Sequence, residues 1–306
     1  MRPFVVHRHS GHRGAVYALA VRQGRVLSGS GDGMVAAWGK DAASGEAVAQ
    51  VGQAVFALAV LDHLDILLIG TEVGDLHVVD LSDRREAQRM VLHRRGIYRI
   101  VALDDQRVAC AGGDGSLSVW GVRRDARGPQ LTLQRHIPMA EEKVRDIAMD
   151  PARGLVAVAC GDGTVRVLDA VDLNERLTLE GHIGGATSVA WHPGKPVLLS
   201  GGKDGHLRAW HAELGTPLLA QPAHRAGIYA LAFDPRRELL ATASRDKTAK
   251  VWRADDLEPL MRLDRPAGGH THSVNHICWL GDHLFTAGDD RMVIEWSITD
   301  GGTGGR

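Results

Sequence analysis

The sequence predicts an all-β fold in which seven copies of a four-stranded antiparallel sheet stack side by side and close into a ring. A repeat of 41 to 48 residues runs through the whole chain. Each repeat contains short runs that alternate between apolar and polar residues, and no stretch of 10–15 residues has helical periodicity. The 306 residues suffice for two ordinary domains or one large all-β domain, and the continuous repeat favours the second.

The repeat is defined by an aromatic or apolar residue that follows a turn rich in Gly and Asp. Successive end positions differ by 41, 41, 48, 42, 42 and 44 residues, and they are Trp38, Val79, Trp120, Leu168, Trp210, Trp252 and Trp296. The 48-residue interval predicts an insertion around Arg123–Met139. Most copies also place a His four residues before an alternating strand, as in GHRGAVYALAV and AHRAGIYALAF.

Ring closure is predicted from the two ends of the repeat array. A sheet with two apolar faces must stack on like sheets, and a closed ring removes the free ends. The last copy has no room for a fourth strand after Trp296, whereas the spare extended segment PFVVHRH precedes the first copy. We therefore expect residues 3–9 to form the outer strand of the seventh sheet. The glycine-rich tail, residues 299–306, is expected to be disordered.

These features resemble the WD-repeat family, in which GH…WD-type units of about 40–45 residues each form one blade of a β-propeller. The resemblance covers residues 3–298 and implies a seven-bladed β-propeller of four-stranded antiparallel blades, with the N-terminal strand closing the last blade. It implies a single domain, residues 1–298, whose blades span about 10–50, 51–92, 93–136, 137–180, 181–222, 223–268 and 269–298, the last together with strand 3–9.

The resemblance also implies a buried tetrad in each complete blade, formed by the GH histidine, a Ser or Thr, the turn Asp and the Trp. An unpaired interior polar group costs more than the ~1 kcal/mol that each hydrogen bond contributes, so these four groups should pair with one another. The matching sets are His12, Ser28, Asp32 and Trp38 in blade one; His182, Ser200, Asp204 and Trp210 in blade five; His224, Thr242, Asp246 and Trp252 in blade six; and His270, Thr286, Asp290 and Trp296 in blade seven.

Three blades depart from this pattern. Blade three has Cys110 at the Ser position, although its other members are present as His93, Asp114 and Trp120. Blade four keeps the turn Asp, Asp162, but has apolar residues at the Ser and Trp positions, Val158 and Leu168. Blade two is apolar at the His, Asp and Trp positions, and removal of all partners together can be nearly neutral. We expect it to fold with an apolar replacement built on Val51, Val73 and Val79.

Histidine clusters near both ends of the chain raise the question of a metal site. The tetrads account for His12 and His270, which leaves His7, His9, His272 and His276. Residues two apart on a strand share a face, whereas residues four apart lie about 13 Å from each other. A zinc site needs three or four convergent ligands. The sequence therefore predicts neither a metal nor another cofactor, although a composite site where the first and last blades meet stays open.

Composition narrows the classes of function. The 36 Lys and Arg nearly cancel the 37 Asp and Glu, and the net charge of −1 disfavours nucleic acid and acidic membranes as partners. The three cysteines are far apart, no secretory signal is visible, and no apolar run approaches 18 residues. These observations predict a cytoplasmic protein that does not enter the membrane.

No motif in the sequence indicates catalysis. The Gly/Asp turns lack the Lys-Ser/Thr of a phosphate-binding loop, their recurrence in register is typical of turn chemistry, and a GxSxG motif is absent. The chain is therefore predicted not to be an enzyme, and no small-molecule substrate is evident. The alternative is a metal-dependent hydrolase or lyase whose site assembles in the central channel from several strands.

A partner-binding surface is predicted at the positions that the resemblance places on the top face around the channel. The position five after the GH histidine reads Tyr17, Phe56, Tyr98, Arg145, Thr187, Tyr229 and Asn275, and it contains all three tyrosines of the chain. Other top-face positions carry the basic residues Lys143, Lys203 and Arg245 and the acidic residues Glu72 and Asp289. Tyr and Arg are enriched in binding hot spots, although tyrosines repeated by duplication could also merely line the channel.

From this surface the sequence predicts a non-catalytic protein–protein interaction scaffold that is a subunit of a larger complex. Its partner would be a peptide or domain with acidic and apolar groups. The residues expected to bind it are Tyr17, Phe56, Tyr98, Lys143, Arg145, Lys203, Tyr229 and Arg245.

Overall fold

The computed structural model describes residues 2–39, 45–234 and 238–299, which form 28 strands and two short 3-10 helices, Asp62–Leu64 and Arg265–Ala267. The strands make seven four-stranded antiparallel sheets, which we call blades. In six blades the four strands follow one another in sequence order. The predicted tail over residues 299–306 lies outside the described residues, apart from the backbone of Thr299.

The strand bounds follow the repeat. Blade one contains β2–β5 (Val16–Arg22, Arg25–Ser30, Met34–Trp38, Glu46–Gln50), and blade two contains β6–β9 (Val55–Leu61, Ile66–Thr71, Asp75–Asp80, Arg85–Val91). Blade three contains β10–β13 (Ile97–Ala102, Arg107–Gly112, Ser116–Asp125, Gly128–Pro138), and blade four β14–β17 (Val144–Asp150, Leu155–Cys160, Thr164–Asp169, Glu175–Glu180). Blade five contains β18–β21 (Ala186–Trp191, Val197–Gly202, His206–His211, Pro217–Pro222), and blade six β22–β25 (Ile228–Asp234, Leu239–Ser244, Ala249–Arg253, Pro259–Leu263). Blade seven contains β26–β28 (Val274–Leu280, His283–Gly288, Val293–Thr299) and β1 (Arg2–His9).

The first strand of each blade lies innermost and contacts the first strands of both neighbouring blades, so that β26 of blade seven meets β2 of blade one. These contacts close the ring around a central channel. One apolar cluster fills each of the seven seams between adjacent blades. Burial between blades therefore stabilises the ring as a whole, since neither face of a sheet has another apolar partner.

The ring is closed by the N-terminal strand, as the sequence predicts. β1 pairs antiparallel with β28, from Pro3 opposite Ile298 to His9 opposite Val293. At the seam between blades seven and one, His9 is buried and its ring lies 5.2 Å from Trp38 of blade one. His9 also faces the buried carboxylate of Glu295, at 3.5 Å. The closing strand thus contributes both ladder hydrogen bonds and a side chain that fills the seam.

The predicted insertion is a long hairpin formed by β12 and β13, with ten and eleven residues. Its outer part reaches blade two, where the Arg124 guanidinium lies 2.6 Å from the Asp80 carboxylate. The Leu131 amide donates to the side-chain carbonyl of Gln88 at 2.6 Å, and the Leu131 side chain packs in the apolar cluster between blades two and three. The insertion therefore braces the blade that lacks polar tetrad residues.

We predict that deletion of residues 1–8 lowers the thermal unfolding midpoint by roughly 10 °C or more, because the ring loses the strand that covers β28. Differential scanning fluorimetry and gel filtration would measure the change. The matched control is Phe4→Ser, since the Phe4 side chain is 53% exposed and its loss should leave the midpoint nearly unchanged. A truncated chain that melts like the intact protein would contradict the role of β1.

Candidate functional site

Hydrogen-bonded tetrads occupy the interiors of blades one, five, six and seven. In blade one, His12 Nε2 lies 2.7 Å from Ser28 Oγ and His12 Nδ1 lies 3.2 Å from Asp32 Oδ2. The Trp38 indole N–H donates to the same Ser28 hydroxyl at 2.7 Å. Because that hydroxyl accepts from Trp38, it can donate to His12 Nε2, which leaves Nδ1–H to donate to Asp32.

The other three tetrads repeat this geometry. The His Nδ1 to Asp distances are 3.2, 3.1 and 2.7 Å in blades five, six and seven, and the His Nε2 to hydroxyl distances are 2.8, 2.7 and 2.8 Å. The Trp N–H donates to the hydroxyl at 2.9, 3.0 and 3.0 Å. Each tetrad fixes the loop before the first strand to the turn between the second and third strands, so it holds the top edge of its blade.

Burial governs the protonation of the tetrads. It lowers the pKa of His12, His182 and His224, although the neighbouring aspartates oppose the shift. Burial also works against ionisation of Asp32, but the amides of Arg13 and Met34 donate to this carboxylate and bring its pKa below the usual value. A neutral imidazole therefore donates to an ionised carboxylate at neutral pH.

Blade three completes its tetrad with a residue that the sequence pattern did not indicate. His93 Nε2 lies 2.8 Å from Ser118 Oγ, and the Trp120 indole N–H donates to the same oxygen at 2.8 Å. Ser118 stands on the third strand, directly opposite Cys110 in the ladder. The hydroxyl has thus moved from the second strand to the third, while burial raises the pKa of the Cys110 thiol to about 12.

Blade two has apolar residues at all four tetrad positions, and three of these residues are buried. Val51, Ile69 and Val79 pack in the cluster between blades one and two, whereas Val73, at the Asp position, is exposed. In blade four, Val158 and Leu168 are both buried in the cluster between blades three and four, and Asp162 accepts from the amide and hydroxyl of Thr164 in the turn.

The proposed binding positions have a common structural origin. In every blade the first strand carries a β-bulge, at which the residue between the first and second ladder pairs has no partner on the second strand. A bulge redirects its side chain and is typical of functional edges. The bulged residues are Tyr17, Phe56, Tyr98, Arg145, Thr187, Tyr229 and Asn275, and all seven line the central channel.

At the mouth of the channel, whose cavity volume is about 870 Å³, the aromatic side chains form a continuous arc over blades one to three. The ring centroids of Tyr17 and Phe56 are 5.0 Å apart in an edge arrangement, and those of Phe56 and Tyr98 are 5.6 Å apart and stacked. The Arg145 guanidinium lies over the Tyr98 ring at 4.4 Å from its centroid, and the Lys143 ammonium at 5.5 Å. The aromatic arc and the two cations, Lys143 and Arg145, therefore form one continuous surface.

The two ends of this arc differ in charge. The basic end is formed by Lys143 and Arg145 beside Tyr98. At the other end, burial and then the negative charges of Asp289 and Glu72 raise the pKa of Tyr17. Lys203 and Arg245 are exposed. Their backbone amides donate to carbonyls in the loops before β18 and β22, so both residues lie on the top face. Neither residue lines the channel.

Deeper in the channel lies a polar group that sequence reasoning missed. The Arg99 guanidinium from blade three lies 2.9 Å from His276 Nε2 of blade seven and 3.3 Å from the Asp146 carboxylate of blade four. Burial and the positive charge of Arg99 lower the pKa of His276 to about 3. Burial raises the pKa of Asp146 despite Arg99. Each of these three residues directly follows a bulged residue in the sequence. Their contact across the channel depends on the closure of the ring, which brings distant blades together.

The four histidines left over from the terminal clusters, His7, His9, His272 and His276, do not form a group of three converging ligands. The ring centroids of His7 and His9 are 5.8 Å apart, and His7 is exposed while His9 is buried. His272 is exposed at the loop before β26, and His276 faces the channel. Among the residues that the structure describes, one group of three metal-ligating side chains converges, and it consists of His93, Asp114 and His136.

The closed ring of seven four-stranded sheets around a channel defines a β-propeller. The family described as "WD domain, G-beta repeat" matches residues 127–169, 174–211, 215–253 and 259–297, which together make up more than half of the chain. The chain therefore belongs to the WD-repeat family, and the resemblance seen in the sequence is confirmed. The crystal structure of the WD40 beta propeller domain of Doa1 is similar over 97% of both chains with a TM-score of 0.83, and at 18% identity this likeness concerns the fold alone.

Several WD-repeat proteins are similar in sequence to parts of this chain. WD repeat-containing protein 90 of Xenopus tropicalis is 24% identical over 64% of this chain and 12% of its own length. WD repeat-containing protein 55 of Homo sapiens is 28% identical over 37% of this chain and 28% of its own length. The probable cytosolic iron-sulfur protein assembly protein Ciao1 of Anopheles gambiae is 38% identical over 22% of each chain. The chain thus spans less than a third of the length of these relatives.

We predict that Ser118→Ala lowers the free energy of unfolding by about 2 kcal/mol or more, because it leaves the buried His93 Nε2 and Trp120 Nε1–H without a partner. Urea unfolding followed by tryptophan fluorescence would measure the loss. The double variant Cys110→Ser/Ser118→Ala returns a hydroxyl to the position used in the other tetrads and should recover most of the stability. An additive or greater loss in the double variant would contradict this exchange of roles.

We also predict that stability falls by roughly 1–3 kcal/mol between pH 7.5 and 5.5. The unfolded chain binds protons at its histidines near pH 6.5, whereas the folded state resists protonation at those with lowered pKa, so acid favours unfolding. The histidines concerned are His9, His12, His93, His182, His192, His224 and His276. Urea midpoints at constant ionic strength would test this, and a pH-independent midpoint over this range would contradict it.

Proposed function

We propose that the chain is a non-catalytic protein–protein interaction scaffold, a subunit of a larger complex whose partner binds on the top face of the propeller. WD-repeat propellers are in general interaction scaffolds without enzymatic activity, and their partners are proteins. The observation that carries the proposal is the set of bulges. Seven side chains are turned into one channel mouth, and five of the seven are Tyr, Phe or Arg.

The chemistry of the channel mouth indicates a partner with apolar and acidic groups. Tyr17, Phe56 and Tyr98 are each partly exposed, so an apolar side chain that packs on the arc would remove aromatic surface from water. Aromatic side chains and Arg combine a large contact area with a polar tip, and for this reason they dominate binding hot spots. A carboxylate of the partner next to the apolar group would meet Lys143 and Arg145, which already lie over Tyr98.

The basic surface continues beyond the arc. Tyr229 lines the channel in blade six, and Lys203 and Arg245 are exposed on the turns of blades five and six. We propose that these residues extend the binding surface for a longer acidic segment. Exposed charges of this kind steer association and set the orientation of a partner more than they add affinity.

We further propose that residues 1–298 act as one domain and that the protein works in the cytoplasm. Cys110, Cys160 and Cys278 are unpaired, which fits a reducing compartment. The name of the relative Ciao1 contains the word cytosolic. Among the described residues, none forms a helix with the length and apolar character required to cross a bilayer.

The alternative, a metal-dependent hydrolase or lyase in the channel, has less support. The polar residues Arg99, Asp146 and His276 meet in the channel, where the Arg99 guanidinium donates to His276 Nε2 and pairs with the Asp146 carboxylate. A fixed cation next to the ligand atoms repels a divalent ion. We therefore do not assign a reaction to the channel.

The proposal predicts that the triple variant Tyr98→Ala/Arg145→Ala/Tyr229→Ala loses partner binding without a change in thermal midpoint. Peptide display on the wild-type protein, with counter-selection on the triple variant, should enrich sequences with neighbouring acidic and apolar residues. Fluorescence polarisation with the enriched peptides should then show binding weaker by at least about 100-fold in the variant, since each lost hot spot costs about 2 kcal/mol.

The control is Val91→Ser/Leu214→Ser, because both side chains are exposed outside the channel lining, at 74% and 67%. This control should bind the enriched peptides like the wild type. The top-face proposal would be contradicted if counter-selection on the triple variant removed every peptide that the wild type binds, or if the remaining sequences lacked acidic residues.

A further inference from the structure

Blade three has no Lys or Arg four positions after its turn aspartate, as is also the case in blades one and seven, where this position holds Ala36 and Ile294. The residue four positions after this Asp is a cation in blades four, five and six, where Arg166 lies 3.5 Å from Asp162, Arg208 lies 3.9 Å from Asp204, and Lys250 is close to Asp246. In blade three the same position is Ser118, which is committed to His93 and Trp120. Asp114 therefore has no Lys or Arg at the place where these blades supply one.

A histidine from the insertion lies at this place instead. His136 stands on β13 directly opposite Ser118, and its ring centroid is 5.9 Å from that of His93. Nitrogen atoms of His93 and His136 and a carboxylate oxygen of Asp114 all lie within 4.8 Å of one another. The three ligands come from the loop before β10, the turn between β11 and β12, and β13, so the fold, rather than a local motif, brings them together.

From this convergence we propose that His93, Asp114 and His136 form a binding site for one zinc ion, which takes the place of the cation found in blades four, five and six. Two imidazoles and a carboxylate are a usual zinc ligand set, and water would complete a tetrahedron. His136 is exposed and Asp114 is partly exposed, so the ion can enter from solvent. The site lies within blade three, apart from the channel and its mouth.

The geometry of the ligands accommodates the ion with small movements. His93 Nδ1 and Asp114 Oδ1 are 3.0 Å apart. The Ser116 hydroxyl lies between the three ligands, at 3.3 Å from His93 Nδ1, 2.7 Å from Asp114 Oδ1 and 2.8 Å from His136 Nε2. An ion near this point requires the Ser116 side chain to rotate and each ligand atom to approach by about 1 Å, to reach zinc–ligand distances of about 2.0–2.2 Å.

The tetrad of blade three can adjust to metal binding. Coordination through His93 Nδ1 moves the ring proton to Nε2, which then donates to Ser118 Oγ. Ser118 in turn can direct its hydroxyl hydrogen towards the Cys110 thiol beside it. The proton stays on the His93 ring in this change of tautomer, and the imidazole remains neutral.

The test is isothermal titration of tag-free protein with ZnCl2, together with equilibrium dialysis and elemental analysis. The wild type should bind one zinc ion per chain. His136→Ala removes a ligand that has no part in the tetrad and should weaken binding by more than about 100-fold, since a direct ligand matters more than an outer-shell partner. The matched control His272→Ala removes another exposed histidine and should bind as the wild type does.

Absence of saturable binding by the wild type would overturn the proposal, and so would binding that persists in His136→Ala. Thermal melting of each variant without metal shows whether its fold is retained. Cobalt substitution of the wild type supplies a second measurement, because four-coordinate Co2+ absorbs visible light far more strongly than six-coordinate Co2+. A weak six-coordinate spectrum would contradict the tetrahedral site.

Discussion

The structure depends on the requirement that every sheet be covered on both faces. Each seam holds one apolar cluster built from two neighbouring blades, so no blade has a complete core of its own. Only a closed ring meets this requirement for all blades, and closure relies on β1 to complete blade seven. The channel and its mouth exist because of this closure. The bulged side chains converge only because the innermost strands encircle one axis.

The repeat and the residue types could be predicted from the sequence because they reflect local chemistry. Trp, His and Asp recur at fixed spacing since each tetrad is built within one blade, and the bulged positions recur for the same reason. What could not be predicted involves neighbours in space. Ser118, on the strand next to Cys110, supplies the hydroxyl that Cys110 lacks. Arg99 contacts His276 across the channel. A pattern that is aligned along the chain carries no information about either contact.

Blades two and three illustrate how irregular repeats compensate for one another. Blade two lacks the polar tetrad that ties loop to turn in other blades, and its interior positions are apolar. The long hairpin of blade three supplies outside contacts in its place, through Arg124 to Asp80 and Leu131 to Gln88. The same hairpin carries His136 to Asp114. One insertion therefore supports a neighbouring blade and brings an additional histidine beside a tetrad.

The pairing of β1 with β28 has a consequence for how the protein is made. Residues 2–9 are synthesised before every other strand of the propeller, and their partners, residues 293–299, follow almost 300 residues later. Between these two points the emerging chain carries a segment whose strand partner is missing, and an unpaired strand edge promotes aggregation. Nascent molecules should consequently depend on chaperones until β28 has been synthesised, and a slow final pairing of β1 with β28 should limit the yield of native protein.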